Sequence, residues 1–327
     1  MNPDPRLHQL HEWIKEVTGN VSCTLEPVSG DASFRRYFRF QLENAQFIAV
    51  DSPPEKEANE AFIQITHLLE TAGLPVPHIH YSLLEFGYFI LDDFGDVLLL
   101  DTLNAENADA LYANALEALT VIQQIPADSL PDYNKPLLQQ EMELFQNWFL
   151  VRLLSVQLSS SSLQVLKKAF TNLVHNALTQ PQVFVHRDYH SRNLMQIDTD
   201  WPGIIDFQDA VRGPLTYDAV SLLRDCYIQW PLDQTEAWAL SYKNRLVKKN
   251  IIDDVKNEIF LKWFDLMGIQ RHLKAIGIFS RLKLRDGKSS YLQDIPRTLD
   301  YITAVGSRYP ETSELARFIR EMVSFKP

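Results

Sequence analysis

The chain has 327 residues, of which 46% are hydrophobic and 22% charged, with a formal net charge of -11. This is enough chain for one large or two ordinary domains, and the negative balance argues against a nucleic-acid partner. No apolar run reaches the roughly 18 to 20 residues of a membrane span, and Met1-Asn2-Pro3-Asp4-Pro5 lacks the charged-then-apolar pattern of a secretory signal, so a cytoplasmic protein with no membrane and no obligate protein partner is expected.

An amphipathic helix is predicted over Pro5 to Val17, followed by a strand from Val21 to Val28. A tight Ser29-Gly30-Asp31-Ala32-Ser33 turn then leads into strands over Phe34 to Leu42 and Gln46 to Val50. Glu57 to Ala72 shows helical spacing, with Ala61, Ile65, Leu68 and Leu69 on one side and Gly73 as its stop. Strands over His78 to Tyr81 and Tyr88 to Leu91 complete a small antiparallel sheet, which ends at Asp92-Asp93-Phe94-Gly95. The pattern then becomes largely helical, over Ala105 to Gln124, Pro136 to Leu158, Leu163 to Thr179, Leu215 to Gln229, Gln234 to Lys249 and Asp253 to Arg285, with two shorter helices beyond. Ser159 to Ser162 reads as an interhelical turn and cap. The two cysteines, Cys23 and Cys226, are too few for a disulfide framework and are not spaced as metal ligands.

The most informative stretch is His186-Arg187-Asp188-Tyr189-His190-Ser191-Arg192-Asn193, followed by a short apolar hairpin and Ile204-Ile205-Asp206-Phe207. Transfer of a γ-phosphoryl group requires a carboxylate to orient and deprotonate the acceptor hydroxyl. It also requires an amide oxygen and a second carboxylate to hold Mg²⁺ against the phosphates. Asp188 as base, with Asn193 and Asp206 as metal ligands, supplies these groups in that order. The loop leaves the strand Val183-Phe184-Val185, and the Leu194-Met195-Gln196 and Gly203-Ile204-Ile205 runs return the chain to deliver Asp206.

A small sheet with a helix, a connecting strand and a helical remainder carrying this loop resembles the aminoglycoside phosphotransferase and choline-kinase branch of the protein-kinase-like fold. The resemblance implies an α+β, two-lobed architecture. Residues 1–95 would form the nucleotide-binding lobe and residues 96–327 the helical lobe with the catalytic loop and acceptor site. It also implies ATP and Mg²⁺ as cofactors, adenine bound by the backbone of Leu91, Asp92, Asp93 and Phe94, and a structural role for Asp218 after the Gly213-Pro214 turn. Asp209 is a further acidic group near the metal, or a loop-stabilising carboxylate.

Two departures from the branch stand out. There is no Gly-rich loop, so the turn ending at Ser33 must cover the phosphates through its backbone N–H groups. The third strand carries Asp51 in Ile48-Ala49-Val50-Asp51-Ser52 where a kinase places its phosphate-binding Lys, which adds negative charge. Arg35 and Arg36 are substitutes. Strand parity groups Arg36 with Phe34, Phe38 and Phe40, which leaves Arg35 as the exposed one. Arg192, next to Asn193, is the other candidate for offsetting transition-state charge. Glu57 and Glu60 are either ion-pair partners for such a cation or solvated helix positions.

For the acceptor, Glu143 (or Glu141) with Trp148 suits a sugar and equally a quaternary ammonium. His190 lies beside the base, and Arg271, His272 and Lys274 form a basic cluster suited to a substrate carboxylate. These positions, with Ser29-Gly30-Asp31-Ala32-Ser33-Phe34-Arg35-Arg36, Val50-Asp51-Ser52-Pro53-Pro54 and Asp206-Phe207-Gln208-Asp209-Ala210-Val211, resemble the bacterial anomeric kinases of N-acetylmuramic acid and N-acetylglucosamine. That resemblance implies an amino-sugar substrate, phosphorylation at C1 and a place in peptidoglycan recycling. The alternatives are a phosphotransferase for another small alcohol, such as an aminoglycoside or amino alcohol, and a nucleotide-binding pseudokinase.

Overall fold

The computed structural model describes residues 4–28 and 34–323, which divide into two compact units. The first holds the residues up to Leu99 together with Leu194–Asp209. Helix α1 (Pro5–Thr18) begins at Asp4, whose carboxylate accepts from the Arg6 and Leu7 N–H groups. Pro5 occupies the first turn, where no donor is needed, and the helix stops at Gly19 with φ 70°. Strands β1 (Glu26–Val28), β2 (Arg36–Leu42), β3 (Ala45–Asp51), β4 (Ile79–Leu83) and β5 (Tyr88–Asp92) form an antiparallel sheet in the order β1-β2-β3-β5-β4. Helix α2 (Asn59–Thr71) connects β3 to β4. The strand expected from Val21 is shorter, because the Asn20 side chain accepts from the Ser22 N–H and turns the chain there.

Alternation along the strands gives the sheet two separate cores. Phe38, Phe40, Ala49, Tyr88 and Ile90 pack with Leu10, Trp13 and Ile14 of α1. Val50, Phe89 and Leu91 pack on the other face with Tyr37, Ile48 and the α2 residues Phe62 and Ile63.

The second unit begins at Leu100, within α3 (Leu99–Thr102), and continues with α4 (Ala108–Ile122) and α5 (Lys135–Leu144), which runs on as a π-helix over Phe145–Leu153. After α6 (Ser160–Thr179), strand β6 (Gln182–Val185) enters the loop over residues 186–193. The hairpin β7 (Leu194–Met195) and β8 (Gly203–Ile204) belongs to the first unit, tied there by Gln196 N–H to Val97 O and Ile204 N–H to Pro75 O, both 2.8 Å. The chain then forms β9 (Val211–Pro214), antiparallel to β6, and helices α7 (Tyr217–Leu223), α8 (Leu232–Lys248), α9 (Asn257–Asp286), α10 (Ile295–Gly306) and α11 (Ser313–Met322).

Helix α9 spans about 45 Å and buries Asp265, Gln270, Arg271, His272, Lys274 and Ser280 along its length. Polar groups are costly to bury unless partnered, so this helix must meet polar neighbours. At Gly277 a Cβ would stand 2.4 Å from the Leu144 carbonyl carbon. The α-to-π switch in the neighbouring helix falls at this crossing.

Candidate active site

In the second unit, the loop after β6 is held at both ends by carboxylates. Asp218, in the first turn of α7, accepts from the His186 N–H at 2.7 Å and the Arg187 N–H at 3.0 Å. Burial nevertheless pushes the Asp218 carboxyl up to about 7. Asp225 accepts from the Ser191 N–H and hydroxyl at 2.9 and 2.5 Å and from the Tyr227 N–H at 3.1 Å. The segment from Arg224 onward therefore leaves the helix expected through Gln229. Between these anchors Arg187 has φ 76°, a conformation that a non-glycine residue keeps only when its surroundings impose it. The Asn193 amide nitrogen donates to the Asp188 carbonyl at 3.0 Å, so the orientation of its amide oxygen is fixed.

Asp188 sits among cations. Burial pushes its carboxyl up, but the charges of Lys274, Arg187 and Arg271 override this and hold it at about 2. Behind it, Glu141 accepts from Arg187 at 2.7 Å and from the Tyr133 hydroxyl, and it lies 3.3 Å from the Lys274 ammonium. Lys274 also donates to the Tyr217 hydroxyl at 3.1 Å. Burial opposes the charges of both groups, yet their mutual attraction lowers the Glu141 pKa and raises that of Lys274, so both stay ionised. The Arg271 guanidinium, also buried, donates to Cys226 Sγ at 3.5 Å. Burial keeps the His190 imidazole neutral, and its ring stands edge-on to Tyr227 at 5.4 Å. Arg192 lies over the Tyr227 and Tyr291 rings at 4.8 and 5.5 Å.

Several sequence expectations for the acceptor side are corrected. Glu143 does not enter this cluster and accepts instead from Gln139, one turn earlier on an exposed face. Residues two apart on a helix point about 200° apart, so Glu141 takes the inward position. Trp148 stacks on Arg152 at 4.1 Å within the π-helix. Beside His190, Tyr189 belongs to the core, where it donates to the Ala115 carbonyl. His272 is no cation: burial drives its pKa down to about 3, and its ring stacks on Tyr301. Glu141 was legible, since it shares the i, i+3, i+4, i+7 stripe of Leu138, Met142 and Phe145. Tyr133 and Tyr217 carried no comparable signal, because a tyrosine in an apolar stretch reads as core.

The first unit carries the remaining candidate residues, apart from Ser33, which lies outside the described residues. Asp206 is exposed with φ 63°, and its carboxylate accepts from Gln208 at 2.7 Å. The Phe207 ring stacks parallel on Phe62 of α2 at 5.5 Å. Asp209 is exposed at the end of this segment.

Arg35 is buried, contrary to the parity argument, because α2 covers the face that the argument left to solvent. Its guanidinium lies 5.3 Å over Phe62, donates to Ser52 Oγ at 3.1 Å and stands 3.5 Å from Glu57. A cation–carboxylate pair therefore exists on this face without a strand lysine. Arg36 is on the other face, paired with Asp4 and Asp51. Asp51 is fully buried between Arg36 and Arg6, whose Nη2 is 2.5 Å away, so its charge is matched within the sheet core.

In the connecting strand, Leu91 is in the sheet and the Asp92 N–H is bonded to the His78 carbonyl. Asp93 pairs with Arg39 at 2.5 Å. The Phe94 ring lies where Gly203 has no side chain: a Cβ there would approach it to 2.6 Å.

Residues 24–248 match the model of the phosphotransferase enzyme family. The chain belongs to that family. This phosphotransferase is 42% identical over 330 residues to an N-acetylmuramate/N-acetylglucosamine kinase of Pseudomonas putida, covering 98% of this chain and 97% of the relative. It is 41% identical to the protein of the same name from Pseudomonas aeruginosa, covering 98% of each chain. Among solved structures it is similar to a choline kinase from Streptococcus pneumoniae, with a TM-score of 0.63, 11% identity and coverage of 91% of this chain and 99% of that one. The fold is thus the protein-kinase-like one of the aminoglycoside phosphotransferases and choline kinases.

Among the described residues no group of three or more His, Cys, Asp and Glu side chains is disposed to hold a metal ion. Asn193 of the second unit and Asp206 of the first each present a hard oxygen, the donor type that Mg²⁺ takes.

Proposed function

We propose that this phosphotransferase transfers the γ-phosphoryl group of ATP to the C1 hydroxyl of N-acetylmuramic acid and N-acetylglucosamine, giving sugar 1-phosphates in peptidoglycan recycling. The observation that carries this reading is the near-full-length likeness to kinases named for these two sugars, combined with an ionised Asp188 held in a loop that carboxylates fix at both ends. Asp188 orients the acceptor hydroxyl and takes its proton. A carboxylate held at about 2 is a weak base. An anomeric hydroxyl is more acidic than an ordinary alcohol, and positioning contributes the larger share of the rate.

Asn193 and Asp206 would hold Mg²⁺, which when bound neutralises phosphate charge and orients the leaving group. Arg35, steadied by Glu57, or Arg192 offsets charge on the phosphates. The backbone of Leu91, Asp92, Asp93 and Phe94 receives adenine, with the Asp92 N–H excluded as a donor because it is already bonded. No helix among the described residues is long and apolar enough to cross a membrane, and a reaction that draws on ATP suits the cytoplasm.

The test is ADP release from MgATP in the presence of each sugar, with Asp188→Asn as control. Sugar-dependent turnover that falls by about 10²-fold or more in the variant is expected. Turnover with neither sugar would refute the proposal.

A further inference from the structure

Two buried cations of α9, Lys274 and Arg271, act through space on the charge of Asp188, and their surroundings differ. The Lys274 ammonium is within reach of the Glu141 carboxylate at 3.3 Å and the Tyr217 hydroxyl at 3.1 Å. Its charge is matched inside the protein. Arg271, almost one turn earlier on the same face, is 6% exposed. Among the described residues of this unit its hydrogen-bond acceptor is Cys226 Sγ, at 3.5 Å, and no carboxylate lies within ion-pair distance. Sulfur is a weak acceptor. A guanidinium taken out of water without a carboxylate is unfavourable unless something negative completes it.

The nearest negative charges do not fill that role. Asp188 and Asp225 act on Arg271 only through space. Asp225 already accepts three hydrogen bonds, two from Ser191 of the loop at 2.9 and 2.5 Å and one from the Tyr227 N–H at 3.1 Å. Asp188 must face the acceptor hydroxyl. The neighbouring His190 is neutral, and its buried Nδ1 has no partner among the described residues. Arg271 and His190 thus leave polar hydrogen-bonding capacity beside the base that the protein itself does not satisfy.

We propose that Arg271 is the carboxylate-reading residue of the acceptor site: its planar guanidinium binds the lactyl carboxylate that distinguishes N-acetylmuramic acid from N-acetylglucosamine, whereas Lys274, already paired, serves the base and not the substrate. The proposal rests on the sugar-kinase reading given above. A carboxylate suits the planar fork, which can donate two parallel hydrogen bonds to it. The two sugars then share one base and one phosphoryl donor and differ in a single ionic contact.

The experiment is kcat/KM for N-acetylmuramic acid and N-acetylglucosamine at saturating MgATP, in the unmodified protein, Arg271→Met, Arg271→Lys and Lys274→Met. Because both sugars are measured on each variant, any general loss of folding or base strength cancels in their ratio. Arg271→Met is expected to lower the N-acetylmuramate to N-acetylglucosamine ratio by about tenfold or more, the usual size of a charge-assisted contact. Arg271→Lys, which retains the charge but not the fork, is expected to fall between, and it carries the test if the methionine variant does not fold. Lys274→Met is expected to lower both values together and leave the ratio. An unchanged ratio in the Arg271 variants, or a larger change at Lys274, overturns the assignment while leaving the sugar kinase intact. Failure of the unmodified protein to use either sugar overturns both.

Discussion

Replacing Lys274 with Met removes one charge from a buried set and nearly conserves volume, so it isolates what that charge does for Asp188. The Asp188 carboxyl is held at about 2 against an ordinary 3.8, even though burial alone would raise it, and Lys274 is the largest of the lowering influences. Removing it should raise the Asp188 pKa by at least about one unit, equivalent to about 1.4 kcal/mol. The sign for stability follows. A depressed carboxylate pKa stabilises the fold above its unfolded value near 3.8 and loses that contribution as pH falls through about 2. That contribution, about 2 kcal/mol in the unmodified protein, should shrink in the variant, and Glu141 should lose one of its two cations.

The assay is the acid limb of kcat/KM against pH, paired with a ¹³C titration of the aspartate carboxyls in which Asp188→Asn identifies the signal. The limb should move to higher pH in Lys274→Met and stay in place in Lys274→Arg. An Asp188 titration unmoved by Lys274→Met would refute the assignment of Lys274 as its counter-charge.

Two further outcomes are expected. Arg35→Met should raise the KM for MgATP by about tenfold with little change in sugar KM, and Glu57→Gln should do so more weakly; an unaltered nucleotide KM would remove Arg35 from phosphate binding. Asp51→Asn should destabilise the protein by about 2 kcal/mol in urea unfolding, less than the loss expected for a fully buried pair because Arg6 and Arg36 reach solvent. A change within about 0.5 kcal/mol would show that this ionic cluster is not structural.

What the sequence disclosed and what it hid have separate physical origins. The phosphoryl-transfer motif stood out in the sequence because Asp188, Asn193 and Asp206 are the residue types, in the order, that such chemistry calls for. The helices were legible because an apolar stripe repeats over many residues. Strand β1 was overestimated, since a local Asn20 turn competes with extension and leaves no periodic trace. The assignments of Arg35 and Arg36 depended on which face of the sheet was covered. Parity separates the faces but does not show that α1 and α2 bury both. The same limit applied to Asp51, which reads as a misplaced charge until Arg6, 45 residues away in the chain, is seen beside it. Glu141 against Glu143 was decidable from the helical stripe. The tyrosines that complete the Lys274 network were not, because their hydroxyl partners come from α5 and α9.

The most direct measurement is ³¹P NMR with proton coupling on the products of MgATP and each sugar, alongside Asp188→Asn. A phosphomonoester signal coupled to the anomeric proton, formed by the unmodified protein and absent with the variant, is the predicted result. An ester coupled to any other sugar position, or ADP with no sugar ester at all, would contradict anomeric phosphorylation by this protein.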